Sequence, residues 1–131
     1  MKINLFLNAK KENYMHQFKE LIIWKKSRQF CSTIYLITST FPSEEKFGLT
    51  NQLRRACVSI PSNIAEGSSR NSNKEFARFL EIAVGSAYEI ETQLLISFDL
   101  GFLENEKLKI LIYQLEEIIK MISKFKSNLK F

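Results

Sequence analysis

The sequence predicts an all-α fold, an up-and-down antiparallel four-helix bundle. Two observations carry this reading. Apolar residues recur at alternating spacings of three and four in four separate stretches, the period of helices with one buried face. The connections between the stretches are short and marked by Pro, Gly or Ser, which favours antiparallel neighbours. At 131 residues the chain is the size of one domain, and 45% apolar with 25% charged residues excludes a disordered polypeptide. The longest wholly apolar run is Leu21-Ile22-Ile23-Trp24, too short to span a bilayer.

The first helix is expected from about Phe18 to Thr40. Ile23, Ser27, Phe30, Ile34, Ile37 and Phe41 form its buried line, and Trp24, Cys31, Tyr35 and Thr38 widen it on one side. Phe41-Pro42-Ser43 stops it, because a residue before proline is pushed out of the helical region, and Ser43-Glu44-Glu45 can begin a new turn. A second helix follows Gly48 with Leu49, Leu53, Ala56 and Ile60 on its core face. Pro61 removes an amide donor and crowds the preceding turn, so a kink is expected there. Ile64 and Ala65 then carry the apolar face on to Gly67-Ser68-Ser69. Ser72-Asn73-Lys74-Glu75 has the spacing of a capping box and opens a third helix along Phe76, Leu80, Ala83, Ala87, Ile90, Leu94 and Phe98. After a turn at Leu100-Gly101-Phe102-Leu103, a fourth helix runs from about Glu104 along Leu108, Leu111, Leu115, Ile118, Ile122, Phe125 and Leu129. Residues 1–17 lack a sustained stripe and are expected to be a flexible appendage, leaving 18–131 as the bundle domain.

Composition excludes most catalytic chemistry. Four Gly and one His cannot supply a phosphate-cradling loop, a histidine metal site or a histidine-based triad. Glu66, Glu81 and Glu89 invite a di-iron reading, but such sites need a Glu-x-x-His from two helices, and the single histidine, His16, lies in the appendage. The carboxylates form no clustered acidic motif of the kind metal-dependent cleavage uses. Neither an enzyme activity, a cofactor nor a small-molecule substrate is therefore expected. Cys31 and Cys57 have no C-x-x-C spacing and are read as buried thiols, with an interhelical disulfide as the alternative. The apolar stretch at the N-terminus is too short for a secretory signal, so a cytoplasmic location is expected.

Two constellations remain. A polar line, Gln52, Arg55, Ser59, Ser62 and Glu66 with Asn63 alongside, runs down the second helix, and Ser86, Glu89 and Gln93 form a shorter one on the third. Solvated faces favour long Lys and Glu, whereas this line mixes Ser, Asn and Gln, which suits a hydrogen-bonded seam within the bundle or between subunits. Arg55 is assigned to that seam, paired with Glu89, and Arg54 to the accessible surface. Gly85-Ser86-Ala87 would let another backbone approach, in the core or at a subunit contact. The second constellation is basic. Residues 74–99 carry −3 while the whole chain carries +5, so the remainder is strongly cationic. Lys25, Lys26, Arg28, Arg54, Arg70 and Lys74 are the candidate phosphate contacts. The plainer reading of each cation, and of Lys120, Lys124, Lys126 and Lys130 near the last helix C-terminus, is a solvated charge.

Several segments together resemble one known pattern. They are Phe18-Lys19-Glu20-Leu21-Ile22-Ile23-Trp24-Lys25-Lys26-Ser27, Phe41-Pro42 with Glu45, Gly48-Leu49, Gln52-Leu53-Arg54-Arg55-Ala56, and Val58-Ser59-Ile60-Pro61-Ser62-Asn63-Ile64-Ala65-Glu66-Gly67 with Arg70. Phe79-Leu80, Ile82-Ala83, Gly85-Ser86 and Glu89 with Thr92-Gln93-Leu94 continue it. The chain resembles the bacterial four-helix-bundle proteins encoded within intervening sequences of 23S rRNA genes. That family is similar in fold to the accessory variability protein of diversity-generating retroelements. The resemblance implies a homo-oligomer, a pentamer, with RNA or a reverse transcriptase as partner. It supplies no activity. Glu20 stands where the family commonly has Asp, and the first fourteen residues precede the usual start, which makes Met15 a second candidate initiator. Two functions follow as expectations: a non-enzymatic module that binds structured RNA or a nucleoprotein through a basic face, or a purely structural protein-interaction module.

Overall fold

The computed structural model describes residues 17–131. The expected appendage up to His16 lies outside the described residues. Four helices make up the fold: α1 Ile22–Thr38, α2 Leu49–Ser68, α3 Asn73–Asp99 and α4 Asn105–Ser127. Short 3-10 turns at Phe18–Glu20 and Ser43–Glu45 precede α1 and α2, and the described residues contain no strand.

Local chemistry sets the helix ends. At the end of α1 three hydroxyls turn back onto the last turn, Thr38 Oγ1 donating to the Ile34 carbonyl at 2.7 Å, Ser39 to Leu36 at 2.6 Å and Thr40 to Ile37 at 2.8 Å. Pro42 then prevents continuation. Glu45 Oε1 accepts the Leu49 amide at 3.0 Å and so caps the exposed donors at the start of α2. Ser72 Oγ accepts the Glu75 amide at 3.2 Å, the half of the capping box supplied by serine. The α3 terminus closes through Gly101 at φ 82°, where the Phe102 amide reaches the Ser97 carbonyl at 2.9 Å and the Gly101 amide reaches Phe98 at 3.0 Å. Only glycine enters that left-handed conformation without a Cβ penalty. Helix α2 is continuous through Pro61. Its carbonyls near the proline are served partly by side chains, with Asn63 Nδ2 donating to the Ser59 carbonyl at 2.8 Å.

Each helix packs against its neighbours in sequence, α2 on α3 most extensively, and α1 closes the ring against α4. The core lies on the lines read from periodicity: Phe30 and Ile34, Leu53, Ile60 and Ile64, Phe76, Leu80, Ile90 and Leu94, and Leu111, Leu115 and Ile122 are all buried. Phe98 departs from its line and is exposed, while Ser97 is fully buried. A step of four from Leu94 overshoots the core face of a helix with 3.6 residues per turn, and a step of three lands on it.

Both cysteines are free, Cys57 buried and Cys31 half-buried. Burial pushes the Cys57 thiol well above its ordinary range, and the nearby Cys31 thiol adds to the shift. Because the folded state holds this proton longer than the unfolded one, stability is unaffected below the unfolded thiol pKa of about 8.5 and falls as pH rises above it. The expected slope is about 1.4 kcal/mol per pH unit from this group alone. Urea melts of the native chain and of Cys57→Ala across that range check it, since the variant should show a shallower alkaline decline.

Candidate nucleic-acid interface

Helix α1 presents three cations, Lys25, Lys26 and Arg28, and contains no acidic residue. Its repeat divides them. Lys25 and Arg28 line one hollow with Lys19, Trp24, Gln29 and Ser32, while Lys26 lines a different groove against Tyr113, Glu117 and Met121 of α4. A second hollow, shared with the first through Arg28 and Ser32, continues between α1 and α2 past Cys31, Tyr35, Leu36, Val58 and Pro61. Two guanidinium–aromatic stacks lie along it. Arg28 sits over the Trp24 ring, 5.2 Å from its centroid, and Arg54 sits over Tyr35 at 4.6 Å. Phe18 meets Trp24 edge-on at 5.2 Å and supports that ring from the N-terminal side.

Arg54 is held in three ways. Its Nε donates to Thr38 Oγ1 at 2.9 Å, its Nη2 donates to the Tyr35 carbonyl at 3.2 Å, and its plane covers the Tyr35 ring. The sequence assigned Arg54 to the open surface and Arg55 to the polar seam, paired with Glu89; within the chain Arg54 is half-buried and is the arginine that finds partners. Arg55 and Glu89 are both exposed, and no ion pair joins them among the described residues. The two arginines lie 100° apart on the helix, and the one turned toward α1 finds partners. Tyr35 and Thr38 widen the buried stripe of α1 on one side, and that was the available signal for a partner to Arg54. Arg54→Ala should lower stability by about 1 to 2 kcal/mol through the lost charged hydrogen bonds and stack. Arg55→Ala should change it by less than about 0.5 kcal/mol. Paired urea melts check the contrast.

The polar seam is partly assembled. Ser59 and Ser86 hydroxyls meet across α2 and α3 at 2.9 Å, and Asn63 Nδ2 donates to Ser59 Oγ at 2.9 Å. Gln93 is buried; its Nε2 donates to Glu89 Oε2 at 3.3 Å and its Oε1 has no partner among the described residues. Gln52, Ser62 and Glu66 are exposed. Glu66 pairs with Arg70 at 2.8 Å, and Arg70 also stacks on Phe79 at 4.9 Å. Arg70 and the exposed Lys74 therefore stand at the α2–α3 connection, apart from the Arg28–Arg54 strip. Gly85 opens outward: among the described residues, no heavy atom beyond its chain neighbours and its own helix backbone lies within 4 Å of where a Cβ would stand. It lies on the outer side of α3, which also exposes Ile82, Leu95 and Ile96.

Among the described residues no three His, Cys, Asp or Glu side chains gather as a metal site requires, and no helix is long and apolar enough to cross a membrane. No curated protein matches the chain. It is similar to the crystal structure of a protein of unknown function from the S23 ribosomal protein family of Bacteroides thetaiotaomicron, with TM-score 0.75 and 24% identity over 82% of this chain and 96% of that one. That likeness shows the fold. A family model described as 23S rRNA-intervening sequence protein matches residues 19–124, which takes in all four helices up to the last turn of α4. Apart from Phe18, the segments that gave the resemblance, from the basic start of α1 to the serine-bearing middle of α3, fall inside that match, and the chain belongs to the 23S rRNA-intervening sequence protein family.

Proposed function

We propose that this protein is a non-catalytic, self-associating helical module of the cytoplasm that binds structured RNA through the α1–α2 face. One observation carries the reading: α1 bears Lys25 and Arg28 in its first half and holds Arg54 of α2 against its second half, with no acidic residue on α1 to neutralise them. Such a strip attracts phosphates and releases their counterions. Lys26, Arg70 and Lys74 lie outside this strip and are secondary contacts in the reading. Self-association is supported by the outer face of α3, where Ile82, Leu95 and Ile96 are exposed beside the open Gly85. Apolar exposure of this kind marks interaction surfaces. A pentamer is the assembly that the family resemblance suggests.

Binding of an RNA hairpin across a salt series tests the RNA reading. If Lys25, Arg28 and Arg54 each neutralise one phosphate, a fourfold rise in salt should weaken binding roughly fortyfold, from a slope of about −0.9 per contact. Salt-independent binding, or none at low salt, would overturn it. Light scattering tests assembly, and a monomer at micromolar concentration would remove that part. The apolar α3 face favours a second reading, a protein-interaction module with no nucleic-acid ligand.

A further inference from the structure

We propose that the groove between α1 and α2 takes unpaired nucleobases of single-stranded RNA, stacked against Tyr35 and the guanidinium planes of Arg28 and Arg54. The inference rests on the RNA reading above and names the part of an RNA that this groove receives.

The groove differs from a plain basic surface in its walls and floor. Its open volume is about 660 Å³, and it is lined by Tyr35, Leu36, Val58 and Pro61 with Arg28 and Cys31. Tyr35, Leu36 and Val58 are 42%, 74% and 42% exposed, so an apolar strip lies uncovered, with Arg28 in its wall and Arg54 reaching it over the Tyr35 ring. Duplex RNA offers phosphates and hydroxyls at its surface and keeps its base faces stacked away. It would leave that strip wet. An unpaired strand offers both halves of the match, planar π-faces for the ring and guanidinium planes, and phosphates for the cations. The geometry supports more than one base. Arg28 and Tyr35 are seven residues apart on α1, two turns or about 10.5 Å along its axis. The adjoining hollow continues past Lys25 and Lys19, where the backbone of the same strand would find charge. Arg54 is held before any ligand arrives, by Thr38 and the Tyr35 carbonyl. Its planar face therefore needs little ordering on binding. A peptide of acidic residues alone would satisfy the cations but offers no aromatic faces to cover the strip.

Trp24 is the sole tryptophan, and it stands in the adjoining hollow under Arg28, which lines both, so its fluorescence reports on the Arg28 end of the groove. The test uses the full chain with two probes, a short oligouridylate that cannot pair with itself and a perfectly paired RNA hairpin of equal phosphate number. Oligouridylate should bind more tightly than the hairpin and change Trp24 emission. Tyr35→Ala should weaken oligouridylate about tenfold, within the range for loss of one base stack, and weaken the hairpin much less. Tyr35→Phe, which keeps the ring, should behave as the native chain. Arg28→Lys keeps the charge but not the plane and should also weaken oligouridylate, which carries the test if Tyr35→Ala fails to fold. Equal oligouridylate affinity in all variants would overturn the inference while leaving the basic-face reading standing. Failure of both RNAs to bind at low salt would overturn both, and so would a Trp24 response to polyglutamate with none to either RNA.

Discussion

Phe76→Ala should destabilise the bundle by about 3 to 5 kcal/mol, the range for truncating a fully buried aromatic. Phe76 is among the largest fully enclosed side chains, 1% exposed in the first turn of α3. Its ring meets Phe125 of α4 edge-to-face at 5.5 Å and rests against Gly67 of α2, so one side chain ties three helices at one end of the bundle. Truncation removes the transfer energy of the ring, the aromatic contact and the filling of its volume together. A domain of this size is stable by only about 5 to 15 kcal/mol, so a melting point lower by roughly 10 to 20 °C is expected. Urea unfolding checks it, with the midpoint shifted and the slope retained. Phe131→Ala, at a residue 79% exposed, should stay within about 0.5 kcal/mol.

Phe76 was legible in the sequence, as were nearly all the core positions, because burial in a helix is periodic and a period survives local error. The candidate site was less so, for a physical reason. A periodic line tells which side of a helix a residue is on, and it does not tell which partner stands opposite. Arg55 lies on the same polar line as Ser59, and Ser59 does meet Ser86. Arg55, with a longer side chain displaced toward the outside of α2, is exposed all the same. Arg54 looked superficial because Arg55, and not Arg54, continues the polar line through Gln52 and Ser59. Its partners are on another helix, at Tyr35 and Thr38. The Arg28–Trp24 stack, by contrast, is a contact four residues apart on one helix, which helical spacing makes available to any reader.

The last expectation sets two glycines against each other. Gly67→Ala should cost about 1 to 2 kcal/mol net, and Gly85→Ala should stabilise the helix by about 0.5 to 1 kcal/mol. Both sit inside helices, where alanine is intrinsically better than glycine by about 0.8 to 1 kcal/mol. The difference lies in what a new Cβ meets. At Gly67 it would stand 2.7 Å from Phe79 Cβ and 2.8 Å from Phe76 Cδ1, whereas carbon atoms in contact prefer about 3.5 to 4.0 Å. Phe79 Cβ is fixed to its backbone and cannot swing aside, so α3 must move away from the end of α2, and these two helices form the most extensive pairing of the bundle. Overpacking strain of about 1 to 3 kcal/mol then exceeds the gain in propensity. At Gly85 there is nothing among the described residues within 4 Å to displace. Urea midpoints of the two variants should move in opposite directions. Light scattering on Gly85→Ala adds a separate readout, because a second copy closing on the α3 face would meet the new methyl group, and assembly should weaken while the helix itself gains.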